Sequence, residues 1–292
     1  MLKPTLSNCN PHPRDKNLVF DEPTHKYTIT TDPGSKYTSV TTWNHSHFPK
    51  FDADAIIGNM MRGKGWKPGH KYWGQTVDEI KASWSNNGST AGTDLHYNIE
   101  CFMNMDANVS NDGKTTHKDL LEYYHKHGAS VVQNTSQEWV YFLQYIAAFP
   151  DFKPYRTEWM IYYEELKLAG SIDMVYENPD GTLMIYDWKR SKEIVKASKW
   201  NKYALTECID SMPDTNYWHY SLQLNVYKAI LEAKYGKTVT DLFLVRLHPE
   251  NNPKNTYELI RVPDLSAVIA QLFEERRQQI ISGQLEESKS KH

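Results

Sequence analysis

Two apolar runs, residues 168–177 and 182–188, meet across Asn178-Pro179-Asp180-Gly181, and each carries one aspartate toward its far end. Turn-forming residues between two β-favouring runs predict a hairpin. Asp173 lies about seven residues before the middle of the turn and Asp187 about seven after it, so a hairpin brings the two carboxylates together. Lys189 follows two residues later on the same face as Asp187, while Trp188 points to the other. Ile172, Met174, Val175, Leu183, Met184, Ile185, Tyr186 and Trp188 surround these charges, the pattern of strands buried on both faces. Charge there is costly unless compensated, and two close carboxylates repel unless something positive lies between them. A hard divalent cation satisfies that requirement. Mg2+ takes one or two carboxylates and completes its shell with water and phosphate oxygen. A lysine beside such a pair can orient or activate an attacking water, or offset charge on a phosphorane-like transition state. The spacing therefore points to metal-dependent phosphodiester hydrolysis. The alternative is a hairpin carrying an ordinary, solvent-facing Asp–Lys pair.

The rest of the chain reads as follows. Residues 1–24 form a flexible arm, with no period over 1–16. Residues 25–150 form an N-terminal hairpin and helical region. Its hairpin spans His25–Thr42 around Asp32-Pro33-Gly34. Its helices cover 52–62 (with Asp52 as N-cap), 76–105 in two pieces broken near Asn86-Asn87-Gly88, 115–126 and 136–148. Asn104–Lys114 is a polar loop. The glycine-rich stretch 63–75 mixes Lys67 and Lys71 with Trp66, Tyr72 and Trp73. It is either a loop folded over the core or a surface that stacks bases and neutralises phosphates. Residues 151–282 hold strands at 156–164, 168–177, 182–188, 240–247 and 256–261, with helices at 216–235 and 264–281, the latter capped by Asp264. Residues 283–292 are a polar tail. This order predicts an α/β fold, a central mixed β-sheet flanked by helices.

The hydrophobic content of 39% supports a packed core, and no stretch approaches the ~18 apolar residues of a membrane span. The start lacks the apolar core of a secretory signal. Cys9, Cys101 and Cys208 are odd in number and far apart, which argues against a disulfide framework and for an intracellular setting. The net charge of -3 argues against nucleic acid as a partner, but the stretch 187–202 has six basic and two acidic residues, a local +4. It reads as either a solvated helical face or a phosphate-tracking surface, with Trp200 and Tyr203 able to stack on bases.

Two further motifs are weak alone. His96 and Glu100 share a helical face, as do Gln223 and Tyr227. A lone helical histidine is more often structural, and the second pair is ordinary in an amphipathic helix. The paired histidines His45/His47 and His125/His127 stand at i, i+2 and make no zinc set. In order, however, Gly92…His96…Glu100, Gly170…Asp173, Asp187…Lys189 and Gln223…Tyr227 resemble the RecB-like branch of the PD-(D/E)XK nuclease superfamily over roughly residues 90–250. Ser39-Val40-Thr41 upstream is similar to its viral and mitochondrial genome maintenance members.

The resemblance implies a restriction-endonuclease-like core at 151–282. It also implies a Mg2+- or Mn2+-dependent deoxyribonuclease, an exonuclease acting on DNA with free or single-stranded ends. By this resemblance Asp173, Asp187, His96 and the main-chain carbonyl of Trp188 bind metal, and Lys189 assists the water. Gln223 and Tyr227 support the site and contact DNA, joined by Arg190, Ser191, Lys192 and Lys196. Glu100 and Glu158 are candidate acids. An iron–sulfur cluster is not expected, because three cysteines without a C-x-x-C pair cannot supply four ligands. Without a helicase P-loop, any unwinding falls to a helicase or a recombination or replication partner. The location is intracellular, in a cell compartment or a virus-infected host. The rival readings are a structure-selective endonuclease of the same fold and a non-catalytic nucleic-acid-binding module.

Overall fold

The computed structural model describes residues 5–109, 113–198, 201–251 and 254–283. Lys199, Trp200 and residues 284–292 of the expected polar tail lie outside the described residues, as do 110–112 of the expected polar loop.

Strands β4 (Lys153–Tyr163), β5 (Leu168–Glu177) and β6 (Leu183–Lys189) form an antiparallel meander. Its second connection is the expected turn, where Gly181 takes φ +82° and Asn178 accepts from the Gly181 N–H. β6 then pairs in parallel with β7 (Val239–Arg246), and β7 pairs antiparallel with β8 (Glu258–Arg261). A short strand β3 (Thr38–Ser39) adds in parallel to the start of β5. The sheet is mixed, as expected for this fold class.

Helices cover both faces. On one lie α2 (Val40–Ser46), α8 (Asn216–Lys234) and α9 (Ser266–Ile281), packed on Trp159, Ile172, Val175, Ile185 and Leu244. On the other lie α4 (Val77–Met103), α6 (His117–Val131) and α7 (Gln137–Ala148), packed on Met174, Tyr176, Tyr186, Trp188 and Val245. Neighbours in β5 and β6 thus alternate between two cores, which is why these strands read as continuously apolar. α3 (Ala53–Arg62) begins at Asp52, whose carboxylate accepts from the Ala55 N–H, as expected of an N-cap. α5 (Asp106–Val109) is a short turn.

Four expectations need correction. First, the N-terminal hairpin is β1 (Leu18–Asp21) with β2 (Lys26–Ile29), so it straddles residue 25. Asp32-Pro33-Gly34 instead leads the chain from β2 to β3 in the other sheet.

Second, residues 5–17 are no loose arm. α1 (Thr5–Cys9) buries Leu6 completely, and its N–H donates to Asn104. Asn10 and Arg14 donate to the carbonyls of Tyr155 and Tyr162, and Asp15 receives Arg156 and the Trp159 indole N–H. The segment therefore covers the outer edge of β4, an edge that a bare sheet would expose.

Third, α4 runs unbroken through residues 86–88. A capping box between Thr76 and Glu79 starts it, and Leu95, Ile99 and Phe102 bury its C-terminal half. Packing therefore overrides the local weakness of Asn-Asn-Gly. Fourth, described residues 190–198 form an irregular loop rather than a helical charge run, and α9 has Leu265 at its N-cap position. Asp264 still accepts from the Ser266 N–H.

Candidate active site

The β5–β6 ladder ends at Met174 opposite Tyr186. One more step in that register would set Asp173 against Asp187, but there the strands part. The Trp188 N–H donates to Asp173 Oδ2 at 3.0 Å, turning a side chain into the last rung of the ladder. The fork so formed holds both acids.

Asp187 is 2 % exposed, and Lys189 Nζ lies 2.5 Å from its Oδ2. Lys189 thus offsets the charge of a carboxylate that burial has cut off from water. Burial and then the Asp173 charge push the Asp187 carboxyl above its ordinary range, with Lys189 opposing them. Burial works against the Lys189 charge, but Asp187 and Asp173 outweigh it and hold the ammonium protonated well past neutral pH. The ammonium rests 4.6 Å over the Tyr220 ring. Tyr220 was not anticipated from the sequence. It stands three residues before Gln223 on α8, and only the fold turns it toward β6.

His96 projects from α4. Its Nε2 lies 3.0 Å from the Trp188 carbonyl and its Nδ1 3.6 Å from Asp173 Oδ2. Glu158 comes from β4, where the β4–β5 ladder skips the pair Glu158/Asp173 and Glu158 takes φ 42°. A left-handed residue inside a strand is strained, and such strain concentrates at functional sites. Ser171 Oγ donates to Glu158 at 3.0 Å. Burial, then the Asp173 charge, drives the Glu158 carboxyl upward.

Ligand atoms of His96, Glu158 and Asp173 lie within 4.8 Å of one another. Asp187 stands beside this trio rather than in it. The trio, the Asp187 carboxylate and the Trp188 carbonyl form an oxygen-rich set with one imidazole. That set fits a small hard divalent cation.

Glu100 shares the α4 face with His96. The two line a cleft of about 710 Å³ together with Glu158 and with Phe20 and Tyr27 of the N-terminal hairpin. Burial raises the Glu100 carboxyl. That the hairpin forms a wall here was not legible in the sequence, because the contact spans the whole N-terminal region.

The α8 pair also faces the fork. Gln223 donates to the Tyr227 hydroxyl at 2.9 Å. A Cβ on Gly170 would stand 2.8 Å from the Tyr227 ring, so this glycine lets the ring lie directly against β5.

The remaining basic residues are mostly engaged elsewhere. Arg190 donates to the buried Glu138 at 2.6 Å, and Lys192 pairs with Glu250. Ser191 Oγ donates to the Glu193 carbonyl, and Lys196 lies over Tyr217.

Residues 88–292 match the family model of the PD-(D/E)XK nuclease superfamily. The match begins inside α4 and so takes in the helix that bears His96. A comparison with curated proteins finds no match. Among solved structures, a chain from Eubacterium rectale described as a candidate exonuclease is 12% identical, with a TM-score of 0.32. The match covers 85% of this chain and 82% of that one.

Proposed function

The chain belongs to the PD-(D/E)XK nuclease superfamily, and from that premise we propose that it is a Mg2+- or Mn2+-dependent deoxyribonuclease. It is an exonuclease of the RecB-like kind, degrading DNA from free or single-stranded ends. The observation that carries the proposal is the fork. Asp173, Asp187, Lys189, His96 and the Trp188 carbonyl meet where two strands separate, in the order of that branch's motifs. A non-catalytic relic would have little reason to keep a buried acid–lysine pair with a second acid beside it, since burying charge costs stability.

Asp173, Asp187, Glu158, His96 and the Trp188 carbonyl would hold the cation. When bound, it lowers the pKa of a water and neutralises charge on the scissile phosphate. The chain's own groups do the rest. Lys189, held protonated and seated on Tyr220, donates to the incoming water or to the phosphoryl oxygen that gains charge. Asp173 accepts from the Trp188 N–H and His96 meets the Trp188 carbonyl, so the two peptide groups flanking this residue are each held by a side chain of the site. Tyr227 and Gln223 brace the fork from α8. Lys196 is placed to meet the phosphate backbone, whereas Arg190 and Lys192 contribute mainly by shaping the loop between β6 and α8.

The test is digestion of labelled DNA with linear, circular, 5′-blocked and 3′-blocked substrates. Linear DNA is degraded in Mg2+ or Mn2+ and spared by a chelator, and circles survive. Cleavage of circles would replace the exonuclease by the endonuclease reading. Equal cutting by the parent and by Asp187→Ala would remove the site altogether.

A further inference from the structure

The aromatic and basic stretch between α3 and α4 takes no part in the chemistry above. Between residues 55 and 77 the chain carries Arg62, Lys64, Lys67 and Lys71 and no acid. All four cations are exposed, and none pairs with a described acid. The aromatic residues among them do not form a core. Trp73 is 45% exposed and Phe51, just before α3, is 70% exposed. Trp66 lies 5.0 Å from His70 and 5.7 Å from Trp73, centroid to centroid. Trp84 donates its indole N–H to the Tyr72 hydroxyl at 3.0 Å, and Lys71 lies 4.9 Å over the Tyr72 ring.

The loop is thus a platform of tilted rings edged with unpaired positive charge, on a chain whose net charge is -3.

We propose that the loop at residues 63–75 is a binding surface for an unpaired nucleic-acid strand, which stacks its bases on Trp66 and Trp73 and runs its phosphates past Lys64, Lys67 and Lys71. Exposed rings read any base face, and duplex DNA hides those faces in its stack. The surface therefore selects unpaired over paired strands without reading sequence. This deepens the nuclease reading by naming the strand that the chain holds, but the binding itself does not require cleavage.

The experiment measures anisotropy of a labelled, phosphorothioate-linked single strand, which resists hydrolysis, in Mg2+. Trp66→Ala/Trp73→Ala weakens binding by roughly 30-fold or more, leaves blunt duplex binding unchanged, and keeps the circular dichroism spectrum. Lys64→Gln/Lys67→Gln lowers the slope of log affinity against log salt by about 1.4, and it decides the matter if the tryptophan variant does not fold. Unchanged single-strand affinity and slope overturn the proposal. So does a concentration-dependent dimer that the tryptophan variant abolishes while oligonucleotide affinity stays the same. A parent chain that binds in this pattern but cuts nothing supports the surface and sinks the nuclease reading instead.

Discussion

Asp187 has two properties that pull against each other. Its burial disfavours its charge, and the buried Lys189 beside it requires that charge. Asp187→Asn leaves the ammonium short of a partner, so it is expected to lower turnover by about 100-fold or more and also to lower the melting temperature of the metal-free chain. Activity and calorimetry on the same preparation check both halves.

The raised carboxyls of Asp187 and Glu158 also fix the sign of a pH effect. Without metal, the folded chain binds more protons than the unfolded one above the ordinary carboxylate range. The contribution of these two carboxyls to stability is then full at pH values below that range and is lost as pH climbs through the raised values. Buried His47 and His117, pushed down by burial, act in the opposite sense over part of the same range, so the share of the acids is read as the difference between parent and Glu158→Gln. The parent should lose more stability than the variant as pH climbs, and added Mg2+ should offset this most at the upper end. Equal slopes for the two would contradict the burial of Glu158.

At the scale of elements, β5 and α8 meet near the site at Gly170, where the strand has no room for a side chain. Gly170→Ala puts a methyl against the Tyr227 ring and should cost about 1–3 kcal/mol by urea denaturation, with lost turnover as Tyr227 and its partner Gln223 shift. The same contact shows what sequence can convey. β4, β5, β6, α7 and α8 were legible because each is long, strongly apolar and bounded by clear turn or cap residues. The opposition of Asp173 and Asp187 followed from counting around one turn. Glu158 could be suspected but not placed, since its geometry depends on a skipped rung and a left-handed backbone that no local pattern announces. The β1–β2 hairpin is four residues a side with alternating, half-exposed positions, too weak a period to stand out. The N-terminal segment is held by Asn10, Arg14 and Asp15 through hydrogen bonds, which a hydropathy pattern does not register.

Across the whole molecule, the local +4 of residues 187–202 is less available than its composition implies, because Lys189, Arg190 and Lys192 are each paired with an acid. Cations without a described acidic partner that could track a strand include Arg62 at the end of α3 with Lys64, Lys67 and Lys71 in the loop after it, and Lys196 and Lys202 after β6. If each meets one phosphate, single-strand affinity should fall with salt at a logarithmic slope no steeper than about −4. A markedly steeper slope would mean that the paired residues open to the substrate. The sheet also separates two kinds of constraint along its length. The Asn178–Gly181 turn is exposed and roughly 20 Å along β6 from Asp187. The hairpin is rigid, closed by its own hydrogen bonds, and touches the chemistry at one end only. Its other end is free to lengthen, carry a reporter dye or accept a whole inserted module. Descendants of this chain could therefore acquire new attachments there while their cutting centre stays as it is.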